Sequence, residues 1–203
     1  RLWHLSLPNG EVQGLGEDLD AYGGALGISN DGQSVLTIQS HNQSNIWLAD
    51  FDSLRDAKQI TSDALGKYTG WSALEWTPDN RIIFTAMAHE IETLWIMNAD
   101  GSNRKQLLPS DYTNSYPSIT DDGRWLIFQS DKSGSNEVWR ANPDGSDLRQ
   151  LTTSGANSQP HVSPDGKWIV FVSRQNGRNE LMKISVDGGE AIRLAENANL
   201  TPR

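Results

Sequence analysis

The chain of 203 residues contains no cysteine, so it has neither a disulfide framework nor a thiolate metal site, and redox chemistry says nothing of its compartment. Long apolar stretches are missing as well. The longest run is five residues, Trp168 to Val172, far below the roughly 20 that a membrane-spanning helix needs. Positive charge is scarce: 17 Lys and Arg face 26 Asp and Glu, a formal charge of −9, which argues against a nucleic-acid surface built on clustered cations. Reactive motifs are lacking too. No Gly-x-Ser-x-Gly elbow supplies a hydrolase nucleophile, and no Gly-rich loop with its Lys cradles a phosphate. The four histidines, His4, His41, His89 and His161, are scattered and form no His-x-x-x-His pair. The segment is therefore expected to be non-catalytic and without a cofactor, with any reaction placed in another domain.

What the chain does have is repetition. Turns at Asp31-Gly32, Asp79-Asn80, Asp122-Gly123 and Asp165-Gly166 are spaced 48, 43 and 43 residues apart. Each is followed by an apolar run, and each run by a further strand that opens on an aromatic residue or Met. A second set of turns, Asn9-Gly10, Asp100-Gly101, Asp144-Gly145 and Asp187-Gly188, recurs later in the unit. Asp-Gly and Asn-Gly pairs suit two-residue hairpin turns, which need φ > 0. Each unit thus reads as a four-stranded antiparallel meander. Seven of the 26 acidic residues belong to these turns, so much of the acidity is structural.

The second strands, Val35 to Ile38, Ile82 to Phe84, Trp125 to Phe128 and Trp168 to Val172, are nearly unbroken apolar runs. A sheet with one solvated face would alternate, so both faces of these sheets need cover. Small sheets stacked face to face about an axis meet that demand, which is a β-propeller. The expected fold is all-β, a partial propeller in one domain over 1–203. A half blade covers 1–17, blades follow at about 18–62, 63–109, 110–153 and 154–196, and 197–203 starts a further blade. Trp3, Trp47, Trp95, Trp139 and Met182 take matching places on the third strands and are expected to act as wedges between neighbouring sheets. The ends match the middle of one unit and the start of another, so a fragment of a longer protein is expected.

The runs Ser163-Pro164-Asp165-Gly166-Lys167-Trp168, Asn98-Ala99-Asp100-Gly101-Ser102 and Leu148-Arg149-Gln150-Leu151-Thr152 resemble the TolB-type propeller repeat, and the likeness extends over essentially the whole chain. Some copies depart from it. Asn80 replaces Gly, Thr120-Asp121 replaces Ser-Pro, and Asp50 to Asp56 forms a longer connection without Gly. The resemblance implies a periplasmic or otherwise extracytoplasmic setting. Such repeats occur in TolB, in sensor halves of bacterial serine/threonine kinases and winged-helix regulators, and in gating domains of prolyl-oligopeptidase relatives. The run from Leu2 to Pro8 and Ser44-Asn45-Ile46-Trp47 look most similar to the kinase-linked group.

Two groups of residues are candidates for function. First strands line a propeller's axial channel, which puts Glu75, Ser118 and His161 there at aligned positions, together with Gly27. A metal or proton-active site would need further residues to converge on His161. The crossovers between units are expected to hold Tyr22, Tyr68, Trp71, Tyr112 and Tyr116. Tyr and Trp anchor interfaces because they bury a large area with few rotatable bonds, so a protein or peptide partner is expected on this face, which also carries His41, His89, Lys132, Arg174 and Arg178. The same rings serve equally as filler between blades. The loops beginning at Asn98 and Asn142 lack the twelfth-position Glu of a calcium-binding EF-hand and read as hairpin turns. Three readings follow: a protein-interaction or sensor propeller, the gating propeller of a serine peptidase, or a propeller of the oligogalacturonide-lyase kind.

Overall fold

A computed structural model of the chain describes residues 3–6, 11–14, 21–28, 35–40, 44–52, 54–62, 69–88, 91–109, 111–175 and 177–196, with side chains from residue 44 onward except those of Leu54, Trp71 and Ala88. The chain divides into two compact units, Arg1–Gln43 and Ser44–Arg203. In the first, β1 (Trp3–Ser6) pairs with β2 (Glu11–Gly14), and β3 (Ala21–Ile28) with β4 (Val35–Ser40), both antiparallel. The second opens with the short hairpin β5 (Trp47–Leu48) and β6 (Lys58–Gln59), with a single 3-10 turn at Leu54–Asp56 between them. Segment 18–62 thus appears as two hairpins, and residues 41–43 between them lie outside the described residues.

Three four-stranded meanders follow. The first holds β7 (Thr69–Trp76), β8 (Arg81–Ala88), β9 (Ile91–Asn98) and β10 (Lys105–Gln106). The second holds β11 (Asn114–Ile119), β12 (Leu126–Ser130), β13 (Glu137–Ala141) and β14 (Arg149–Gln150). The third holds β15 (Ala156–Val162), β16 (Trp168–Gln175), β17 (Arg178–Ser185) and β18 (Ile192–Glu196). Their second strands bury residues on both faces, as the unbroken apolar runs require. On β8, Ile82, Phe84 and Ala86 pack with Ile46 and Ile60, while Ile83 on the opposite face packs with Leu126 and Phe128. On β12, Ile127 turns the other way and joins Ile169, Phe171 and Ile184. Each core therefore lies between two sheets.

The wedge positions keep their register. Trp95, Trp139 and Met182 lie opposite Phe84, Phe128 and Phe171. Trp139 is buried at 7 % exposure in the core between the first two meanders, whereas Trp95 and Met182 are half-buried against theirs. Trp47 departs from the expectation at 59 % exposure. Ile46 and Leu48, its neighbours along the chain, take the core side of β5, which leaves Trp47 on the opposite face. A cation links the last two sheets. The buried Arg140 guanidinium stacks 3.8 Å from the Trp125 ring centroid and donates to the Val186 carbonyl at 2.7 Å.

The turns differ from the two-residue kind. Asn80, Gly123 and Gly166 donate their backbone N–H to the carbonyls of Thr77, Thr120 and Ser163, so each turn spans four residues with the Asp third. Positive φ is needed once, at Asn80 (58°), Gly123 (68°) or Gly166 (67°), and not at the Asp. A type I turn followed by a left-handed residue closes the strands here, where a mirror-image turn would need two such residues. The opening hydroxyl donates to the Asp carboxylate at 2.5–2.6 Å in all three, Thr77 to Asp79, Thr120 to Asp122 and Ser163 to Asp165. These hydroxyl bonds are the leading cause that holds the three aspartates below the usual carboxylate range.

The later turns set the approach of neighbouring sheets. Gly145 has φ 86°, and a Cβ there would stand 2.2 Å from the Leu107 carbonyl oxygen of the preceding meander; Gly101 meets Ile60 in the same way. Gly166 faces open space. Gly166→Ala should therefore cost only the left-handed backbone penalty of about 1–2 kcal/mol, while Gly145→Ala should cost clearly more because backbone must move, as urea denaturation will measure. The turn aspartates give a pH test. Their lowered pKa contributes stability above the ordinary carboxylate range, and this is lost as pH falls through the lowered value. Thr120→Val should lower the melting temperature more at neutral pH than in acid, where Asp122 is protonated in both proteins and the loss that remains is that of the bond Thr120 Oγ1 accepts from the Trp125 N–H.

Candidate functional site

The aligned positions on the first strands hold in the structure. Glu75, Ser118 and His161 pair with Ile83, Ile127 and Val170, the same register on β7, β11 and β15, and Gly27 takes that register on β3 opposite Leu36. Strand β11 packs between β7 and β15. Their side chains meet different conditions. Ser118 is buried at 1 % exposure instead of open to a channel, because its Oγ accepts the Val162 N–H at 3.2 Å and ties β15 to β11. Burial pushes the Glu75 carboxyl above its usual range; the charge of His161 opposes this and that of Asp121 adds to it. His161 is exposed. Among the described residues no three His, Cys, Asp or Glu side chains gather as a metal site.

A raised carboxyl favours the fold below the ordinary carboxylate range, and that contribution is lost as pH rises through the raised value. His161→Ala should raise the Glu75 pKa further and Asp121→Asn should lower it, each read from carboxyl carbon chemical shifts in an NMR titration.

The first strands begin earlier than the Tyr-Pro and Gln-Pro pairs suggest, and this relocates the aromatic candidates. Each strand holds a bulge, between Tyr22 and Leu26, Thr69 and Leu74, Ser115 and Ser118, and Ser158 and His161. The prolines sit in the last two of these bulges, where a ladder N–H is not required. Tyr22, Trp71 and Tyr116 consequently lie on β3, β7 and β11 and not in crossovers. Of Tyr22 and Trp71 only the backbone is described, and Tyr68 lies outside the described residues. Tyr116 is half-buried with φ 51°, a left-handed conformation that a large side chain seldom adopts. Tyr112 is in a crossover, as expected. Its ring lies 4.3 Å from Lys132 Nζ, which also donates to its hydroxyl at 2.6 Å, and it helps to close a crevice of only about 10 Å3 beside Trp139.

The structure also shows a notch that reading the sequence missed. Gln159, at φ 53° in the β15 bulge, lies with Ser158, Asn136, Asn179 and Arg174 around a recess of about 200 Å3. These residues come from the first strand and from the two strands of the β16–β17 hairpin beside its turn, with Asn136 supplied by the neighbouring sheet. No spacing in the sequence announces that convergence. All five can donate hydrogen bonds, and Arg174 forms no ion pair among the described residues. The tight-turn rim opposite has a wider cleft of about 580 Å3, but Asp122 and Asp165 there already accept the Arg124 and Lys167 N–H groups at 3.0 and 3.1 Å.

A family profile, the TolB β-propeller domain, matches residues 25–201. The chain belongs to the TolB β-propeller domain family. Among solved structures, a TolB-type protein of Agrobacterium tumefaciens aligns with TM-score 0.67 and 22% identity over 96% of this chain and 73% of that one. TolB of Acinetobacter baumannii aligns with TM-score 0.63 and 23% identity over 87% of this chain and 44% of that one. At these identities the structural likeness carries the fold. An uncharacterized protein of Agrobacterium fabrum is 31% identical over 80 residues, which are 39% of this chain and 27% of that protein. The chain thus matches about a quarter of the length of that curated relative. Three of the repeats also share a glutamine at the same place near the end of the unit. Gln59, Gln106 and Gln150 each donate through Nε2 to the carbonyl two residues on, at 2.6–2.7 Å.

Proposed function

We propose that this TolB-type segment is a non-catalytic protein-recognition propeller, an interaction or sensor module of a larger protein that works in a periplasmic or otherwise extracytoplasmic setting. It contacts a peptide segment of its partner on the rim formed by the crossovers and the β12–β13 and β16–β17 connections. The observation that carries this reading is the notch of Ser158, Gln159, Asn136, Asn179 and Arg174. Carboxamides match the alternating donors and acceptors of a peptide backbone, and a guanidinium that forms no ion pair among the described residues suits a carboxylate or carbonyl. Strained backbone beside it supports the assignment, since a left-handed Tyr116 and Gln159 at equivalent bulges hold side chains in directions that a regular strand would not give. Tyr116 and Tyr112 provide the aromatic surface, with Tyr112 doing double duty as filler.

Peptides selected from a random display library against the segment test the proposal. Arg174→Ala and Tyr116→Ser should each weaken the selected peptides by about tenfold, equivalent to 1.4 kcal/mol, with the melting temperature nearly unchanged. Peptides that bind both variants as tightly as the parent would remove the crossover rim from the function.

A further inference from the structure

The crevices between successive meanders are repeats of one another, but they are not equally filled. Beside Trp139, the crevice against the preceding sheet holds about 10 Å3. The next crevice, 43 residues along the chain, holds about 130 Å3. Its floor is unchanged, for Phe128 and Phe171 take the same place opposite Trp139 and Met182. Its walls are smaller. Met182 stands where the earlier crevice has an indole, Ala191 where it has Leu148, and Gln175 where it has Lys132. The fourth change removes the cover: Tyr112 is matched by Gly155. That glycine has φ 88°, and a Cβ on it would come within 2.9 Å of Ser173 Oγ, so the local backbone keeps a ring from returning there.

Polar chemistry differs too: the atom left unpaired in the filled crevice is a donor, the buried Trp139 Nε1. In the filled crevice, Ser130 Oγ accepts the Lys132 N–H at 3.3 Å. In the enlarged one, Ser173 Oγ and Asn157 Oδ1 are buried and have no hydrogen-bond partner among the described residues. The Asn157 amide is not free to turn. Its Nδ2 donates to the buried Glu137 carboxylate at 2.6 Å and to the Ser154 carbonyl at 2.9 Å, which fixes Oδ1 as an acceptor in want of a donor. Leaving such groups unpaired is costly.

We propose that the crevice between the β11–β14 and β15–β18 sheets is a binding site for a small free aromatic molecule with one N–H or O–H donor, of the indole or phenol class. The ring occupies the space that Trp139 fills one repeat earlier, against Phe171 and Met182, and its donor meets Asn157 Oδ1. The volume suits one ring system, since a cavity of about 150 Å3 accepts benzene. This site is separate from the crossover notch and does not depend on peptide recognition there.

Fluorine NMR of 5-fluoroindole mixed with the protein tests it. The parent should shift or broaden the signal saturably. Met182→Trp, which restores the ring of the earlier repeat, should weaken binding by about tenfold or more and raise the melting temperature. Ala191→Leu, a milder filling, gives a second reading if the first variant folds poorly. The proposal is overturned by an absence of saturable binding, which leaves a hydrated void only, or by undiminished binding to a folded Met182→Trp or Ala191→Leu protein. Binding of capped 5-fluorotryptophan amide without binding of free 5-fluoroindole also overturns it, in favour of a partner's side chain.

Discussion

A sheet of four short strands has two faces and, in this chain, apolar residues on both. Its own curvature hides neither, so each sheet is stable only between neighbours, and the remaining features follow from that need. Second strands carry Ile, Leu, Val and Phe without alternation because Ile83 and Phe84, or Ile127 and Phe128, serve separate cores. At about 25 cal/mol per Å2 of apolar area removed from water, the sheet-to-sheet contacts are where the favourable energy accumulates. The hairpin hydrogen bonds chiefly prevent the cost of unpaired backbone.

The turns translate that packing into sequence. Gly101 and Gly145 are small because a carbonyl of the preceding hairpin or meander stands where a side chain would begin. Asp79, Asp122 and Asp165 answer a local demand, since each holds its turn through a neighbouring hydroxyl. The first group records how closely two sheets approach, and the second records only how one hairpin closes. A net charge of −9 therefore describes turn construction more than it describes a partner.

Variation among the repeats is where specificity enters. Tyr112 and Trp139 close one crevice, while Gly155 and Met182 open the next without disturbing its floor. The bulges on the first strands are likewise common to every unit, yet only β15 brings Gln159 into a recess with Arg174 and two asparagines. A shared frame makes such local departures inexpensive, because each crevice is buried by the same pair of strands whatever its filling.

The amino-acid sequence by itself determined the repeat, the meander, the two-faced burial and the register of Glu75, Ser118 and His161, because turn chemistry and strand periodicity act over a few residues and are written locally. It misplaced Tyr22, Trp71 and Tyr116 because a bulge adds residues to a strand without any composition signal beyond a proline. Tertiary structure alone decided that Ser118 is buried, that Trp47 is exposed and that Asn136 meets Arg174 from another sheet. Those outcomes depend on which faces two separate stretches of chain present to each other, a distance that no spacing within either stretch encodes.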